Sequence, residues 1–400
     1  MDGLDPGGVE RLRDAMEQHV ASGAVPGLVW LVRHGDDVEV GSAGVLDTAT
    51  GAPVTRDSLF RISSMTKPVT AVAALGLVDE GLLDLDEPVD RLLPELADRR
   101  VLAEPGGPLH RCVPASQPVT TRDLLTSRLG LGMDVTGAHD QPAMRRLAEL
   151  GLPVGPPAPA RMPTPDEYLA LLGSVPLEHQ PGTRWLYHVS LDVLGVLVAR
   201  AAGAPLADVL AERVLAPLGM HGTGFWVAPD DRGRFGPCYA ADPSTGARAV
   251  YDPADGQWSA PPPFASGGDG LVSTVDDVHA LASMLRAGGT LDGRRVLGPA
   301  TTAAMLTNHL TPEQLATSSP DPGGALGWGF GLGVQVARDP ASGTAAGGYG
   351  WAGGLGSTWT TDPELDLVAV LLTNQMWTSP EPPPVARDLL TLGRAAVRPG

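Results

Sequence analysis

Lysine is all but missing from this 400-residue chain: of 28 basic side chains a single one, Lys67, is not arginine. An arginine keeps its proton in a protein, whereas a lysine can be tuned to lose one. The scarcity therefore leaves one amine side chain available for proton transfer. Asparagine is nearly as rare, at Asn308 and Asn374 alone. Abundant Gly, Pro, Ala and Arg point to a high-GC coding bias, which accounts for the missing lysines but not for the place of the remaining one. Cysteine occurs twice, at Cys112 and Cys238, without a Cys-x-x-Cys pair. Two reduced or buried thiols in a cytoplasmic protein are the expectation, and one disulfide the alternative. Positive charge is in deficit, with a formal net charge of −18. That argues against nucleic acid and against an anionic membrane as partners, because both reward basic patches. No apolar run reaches transmembrane length, and Met1 to Val20 has no apolar signal core. The chain reads as soluble and cytoplasmic. Its nine histidines form no His-Glu-x-x-His, and neither a metal site nor a cofactor is expected.

With 43% hydrophobic residues the chain can bury a large core, as one large domain or two. Residues 8–22 read as an amphipathic helix, and 27–33 with 38–44 as paired strands around a turn at 34–37. Residues 69–83 are apolar enough for a helix buried on most sides, with Gly81 near its end. From about 76 to 265, helical segments such as 191–202 and 206–218 alternate with proline-rich connections at 104–119 and 151–165. Residues 275–288 read as an amphipathic helix capped by Ser273 or Thr274. Strands return at 329–336, 357–361 and 365–372, the last two joined by a turn at 362–366, and a helix covers 384–397. Strands at both ends with helices between predict an α/β (α+β) fold, one antiparallel sheet flanked by helices plus a mostly helical insertion. The expected domains are 1–75 with 266–400, and 76–265.

Lys67 lies three residues after Ser64 in Arg61-Ile-Ser-Ser-Met-Thr-Lys67. On a helix that spacing puts both side chains on one face, the geometry of a serine nucleophile with a lysine base. Ser63 or Ser64 would cap the helix, with Pro68 tolerated in its first turn. A cation at that end opposes the helix dipole, which suits a base better than a structural ion pair. Such a site also needs a proton relay and an oxyanion hole. Among five tyrosines the relay candidate is Tyr187, in Pro181-Gly-Thr-Arg-Trp-Leu-Tyr-His-Val-Ser190.

Ser64-x-x-Lys67, Pro181-Gly-Thr183 leading to Tyr187, and Ser266-Gly-Gly-x-Gly-Leu-x-Ser-Thr274 before a helix come in an order that resembles the serine β-lactamase and penicillin-binding-protein superfamily, its class C-like and esterase branch above all. The likeness runs over nearly the whole chain. Drug-hydrolysing members carry Tyr-x-Asn, where this chain has Val189, and a Lys-Thr-Gly strand, for which it has no second lysine. At the matching place stands Trp351-Ala-Gly-Gly-Leu-Gly-Ser-Thr-Trp359, a tryptophan-glycine version that is similar to the family VIII carboxylesterases. Losing an amide and a cation weakens any grip on the carboxylate of a β-lactam, which favours neutral esters.

The resemblance implies Ser64 as nucleophile, Lys67 as its base and Tyr187 as the hydrogen-bonded partner that passes a proton to the leaving alcohol. Which of Lys67 and Tyr187 takes the serine proton first is left open. It further implies an oxyanion hole from the N–H groups of Ser64 and Gly354, and substrate contacts from Trp351, Gly353, His188 and Val189. Glycines on that strand permit close approach of a substrate. Trp351 and Tyr349 read equally as core or surface aromatics, Trp359 reads as core, and His188 reads as a pocket residue or a solvated one.

Two decoys are set aside. Gly348-Tyr-Gly-Trp-Ala-Gly353 matches Gly-x-Gly-x-x-Gly, but a strand pattern follows it and no βαβ unit frames it. No serine sits in Gly-x-Ser-x-Gly, which excludes an ordinary α/β-hydrolase. Four readings remain: an esterase on short acyl esters; a β-lactamase or D-amino-acid peptidase; an acyltransferase using the same acyl-enzyme; and a non-catalytic binding module. The expected partner is a small-molecule ester, and the oligomeric state is open. The proline-rich stretch 151–165 is a candidate pocket wall or lid.

Overall fold

Residues 27–34 are apolar at nearly every position, and the fold buries both faces of the strand they form. The computed structural model describes residues 3–137, 141–152, 155–242, 244–318, 327–338, 343–379 and 381–398. Seven strands form its main sheet: β1 (Gly27–His34), β2 (Asp37–Gly44), β3 (Trp328–Phe330), β4 (Gln335–Ala337), β5 (Tyr349–Gly353), β6 (Ser357–Asp362) and β7 (Leu367–Thr373). Their order across the sheet is β3-β4-β5-β6-β7-β1-β2, with every neighbouring pair antiparallel. The two ends of the chain thus meet where β1 pairs with β7.

Five helices matter for the site: α1 (Pro6–Ala21), α2 (Thr66–Asp79), α3 (Val189–Ala202), α4 (Val275–Arg286) and α5 (Pro384–Ala395). Alternate strand residues point to opposite faces. On one face Leu28, Trp30 and Val32 of β1 and Leu367, Ala369 and Leu371 of β7 pack with Leu12 and Met16 of α1 and Val385 and Leu389 of α5. Val29, Leu31, Val368, Val370 and Leu372 face the other way, into a core shared with Val72 and Leu75 of α2 and Leu281 and Leu285 of α4. Each fully buried aliphatic side chain contributes about 1.5–3 kcal/mol, so the sheet is a rigid floor for what is mounted on it. Between α2 and α4 short helices alternate with irregular connections and two small antiparallel strand pairs, Arg100–Leu102 with Cys112–Pro114 and Cys238–Ala241 with Arg248–Asp252, and α3 packs on α2. Among the described residues no single helix is long and apolar enough to cross a membrane. Cys112 and Cys238 are both free thiols.

Two local expectations change, and one open choice is settled. Residues 329–336 are not one strand but the hairpin β3–β4, because Gly333 has a left-handed backbone (φ 78°) and the Gly331 N–H donates back to the Val334 carbonyl at 2.8 Å, with Gly331 packed too close to the Met305 carbonyl for a side chain. Neither Ser63 nor Ser64 caps α2: both lie inside a 3-10 turn, Ser63–Met65, ahead of it, and the N-cap is Met65 without a side-chain bond. Of the two candidates for capping α4, Thr274 does so, accepting the Asp277 N–H.

The strand leading to Ser64 is anchored by a buried ion pair. Arg61 Nε donates to Asp252 Oδ2 at 2.9 Å and Nη1 to the Gly236 carbonyl at 2.8 Å, with the guanidinium 4.0 Å from the Phe235 ring centroid. Removing one partner of a buried pair strands the other charge. Asp252→Ala is therefore expected to cost about 3–5 kcal/mol, read as a lower urea midpoint, and an unchanged midpoint would contradict this anchoring.

Candidate active site

Ser64 sits in the 3-10 turn, and Lys67 in the first turn of α2. Ser63 takes a left-handed backbone (φ 46°), a strained state for a non-glycine residue. Three contacts hold the turn: Ile62 N–H donates to the Leu271 carbonyl at 3.0 Å, Ser357 Oγ to the Ile62 carbonyl at 2.9 Å, and Thr66 Oγ1 to the Ser63 carbonyl at 2.7 Å. The strand pair β5–β6 and the 266–271 loop thus grip the Ser64 turn from two sides.

Lys67 is fully buried. Its Nζ donates to Ser64 Oγ at 3.0 Å and to the Gly268 carbonyl at 2.7 Å, and lies 4.6 Å from the Tyr187 ring centroid. Spacing pairs Ser64 with Lys67 in the sequence and the motif order adds Tyr187; the structure brings all three together. One detail differs. Among the described residues the Tyr187 hydroxyl has no hydrogen-bond partner; the lysine faces the ring and makes its polar contacts to Ser64 and Gly268. Tyr187 is fixed by its backbone, whose N–H and carbonyl pair with Met133 at 2.9 Å each, and by its ring, stacked on Trp185 at 5.7 Å.

Trp351 on β5 lies 6.0 Å from the Tyr187 ring and 5.3 Å from Phe330, so it is a buried wall of this aromatic group. Trp359 is core, its indole N–H donating to Thr361 Oγ1, and Tyr349 packs edge-on against it. Gly353 stands beside the Ser64 turn: a Cβ there would lie 2.1 Å from the Ile62 carbonyl oxygen. Gly354 follows the last paired residue of β5, and its carbonyl accepts the Trp377 N–H at 2.9 Å. The Ser64 N–H lies in a first turn, where intrahelical acceptors are lacking.

His188 is half-buried, not solvated, and Val189 is buried at the start of α3. Both line a cavity of about 30 Å³ with Met144, Tyr168, Asp192 and Asp269, walled by residues 155–159. Of the proline-rich stretch, residues 155–159 form part of this wall, with Tyr251 Oη donating to the Pro157 carbonyl; residues 153 and 154 lie outside the described residues. Burial pushes the Asp192 carboxyl up, with His188 opposing and Asp269 adding to the shift. Sequence reasoning missed Asp192, Asp269 and the Gly268 carbonyl. The last two fall within the Ser266-to-Thr274 motif, and Asp192 is four residues past His188 on a helix, a spacing that signals contact. A backbone acceptor has no signature in residue type.

A family model described as Beta-lactamase matches residues 12–392. Protein Rv1367c of Mycobacterium tuberculosis is 39% identical over 369 residues, covering 90% of this chain and 88% of that protein. Esterase EstB of Burkholderia gladioli is 34% identical over 382 residues, covering 91% of this chain and 90% of that protein. Among solved structures, EstCE1, a hydrolase with promiscuous acyltransferase activity, superimposes with a TM-score of 0.79 at 27% identity, covering 96% of this chain and 99% of that one.

The contact between Gly353 and Ile62 makes a direct prediction. Gly353→Ala is expected to displace the Ser64 turn and slow labelling of Ser64 by an alkyl phosphonate about a hundredfold, the cost of a misplacement near 1 Å. Unchanged labelling with the fold intact would contradict the close approach.

Proposed function

Within the Beta-lactamase family, to which this chain belongs, we propose that the protein is a carboxylesterase acting on short-chain acyl esters through an acyl-enzyme on Ser64. The observation that carries this reading is the 3.0 Å contact between Lys67 Nζ and Ser64 Oγ in a buried setting. Lys67 takes the proton as Ser64 Oγ attacks the ester carbonyl; Tyr187, whose hydroxyl has no competing partner among the described residues, gives its hydroxyl proton to the leaving alcohol as the ester C–O bond breaks and recovers one from Lys67. Lys67 is the first acceptor in this scheme, because among the described residues it alone hydrogen-bonds Ser64 Oγ. The N–H groups of Ser64 and Gly354 receive the developing oxyanion. Water then attacks the acyl-enzyme and releases the acid.

The substrate is a small neutral ester. Val189 offers no amide, and no second lysine is present to bind a carboxylate. Trp351, Gly353, His188 and Val189 are the proposed contacts around it. A second reading, acyl transfer to an alcohol in place of water, is favoured by the likeness to EstCE1.

Hydrolysis of p-nitrophenyl butyrate is expected from the wild type and lost in Ser64→Ala; equal rates in both would contradict the reading. Lys67→Arg keeps the charge but not the base, and turnover is expected to fall by about 10²–10⁴. Retention of most of the activity would remove Lys67 from that role. With an added alcohol, a new ester among the products would identify transfer.

A further inference from the structure

Ser266 Oγ lies 2.6 Å from Asp192 Oδ1 and 2.7 Å from Asp269 Oδ1. A hydroxyl has one proton, so both contacts are hydrogen bonds only when one of the two carboxyls carries a proton. The surroundings favour that state. Asp192 and Asp269 are buried, and two like charges sharing a site do not both ionise readily. The Gly268 N–H is shared between Asp192 Oδ1 at 3.0 Å and Ser266 Oγ at 3.2 Å, and Ser266 Oγ accepts the Asp269 N–H at 3.0 Å.

His188 closes the cluster, with Nε2 3.6 Å from Asp192 Oδ2 and 3.7 Å from Asp269 Oδ2. Its backbone (φ 83°, ψ −68°) and the Val189 N–H donating to the Tyr187 carbonyl at 3.2 Å define a γ-turn of the rare, strained form. A non-glycine residue held so costs on the order of 1–3 kcal/mol and persists only under restraint. The imidazole's seat between two carboxyls is such a restraint. Tyr168 faces both carboxyls and Tyr251 faces Asp269, and neither adds positive charge; the cationic groups that reach Asp192 are His188 and Lys67.

Each arm of the cluster reaches one proton-handling residue. Ser266 Oγ accepts the Asp269 N–H at 3.0 Å and so holds the peptide whose carbonyl, that of Gly268, accepts from Lys67 Nζ at 2.7 Å, while Asp192 Oδ1 holds the preceding N–H, that of Gly268. His188 is the centre of the turn that presents Tyr187 to the same lysine. We propose that His188, Asp192, Ser266 and Asp269 form a positioning clamp, with one proton shared between the two carboxyls, that sets Lys67 and Tyr187 in register with each other. This rests on the reading of Ser64, Lys67 and Tyr187 given above.

The test compares Asp269→Asn with Asp269→Ala in the full chain, by kcat and KM for p-nitrophenyl butyrate and by phosphonate labelling of Ser64. Asparagine supplies a neutral donor where the shared proton sits, so Asp269→Asn is expected to keep kcat near the wild type. Asp269→Ala is expected to lower kcat about a hundredfold, as for a catalytic group misplaced by about 1 Å, with little change in KM. If the alanine variant does not fold, Ser266→Ala, which removes the bridging hydroxyl, takes its place with the same expectation. Asparagine and alanine variants that behave alike, or a change in KM alone, would overturn the clamp. Wild-type protein whose Ser64 is not labelled would overturn it together with the reading on which it rests; a labelled wild type with indistinguishable variants would overturn the clamp alone.

Discussion

Lys67 Nζ is buried between a serine hydroxyl and a backbone carbonyl, and no ion pair to it is present among the described residues. An amine in that setting is held by geometry instead of by a counter-ion. Everything around it serves to keep that geometry: the 3-10 turn that aims Ser64, the loop that lends the Gly268 carbonyl, and the aromatic group that seats Tyr187. Thr70 Oγ1 donating to the Gly267 carbonyl and Leu271 N–H donating to Thr66 Oγ1 fasten that loop to α2 on either side of the lysine.

The sheet explains why such a turn can be stable. Strands from both chain ends pair toward its β2 edge, and helices cover both faces. The Ser64 turn abuts β5 and β6, where Gly353 gives room and Ser357 gives a hydrogen bond. A strained Ser63 backbone is tolerable on such a floor because packing on several sides over-determines it.

Much of this was legible in the sequence. The apolar run of β1, the helix after Ser64 and the strands near the C-terminus follow from periodicity, and the lone lysine at i+3 from Ser64 marked the chemistry. What escaped were features that residue type does not encode. The break between β3 and β4 packs Gly331 against the Met305 carbonyl, a contact with a distant segment. The serines fell inside a 3-10 turn and not at a helix cap, because tertiary bonds to Leu271 and Ser357 draw the chain inward there. The buried pair of Asp192 and Asp269 joins residues far apart in the chain, and only the fold brings them to one serine.

The most direct measurement is mass analysis of the protein quenched during turnover of p-nitrophenyl butyrate. The account predicts one butyryl group on the peptide that contains Ser64 and none in Ser64→Ala. Product accumulating with Ser64 unmodified, or a butyryl group on another residue, would contradict it.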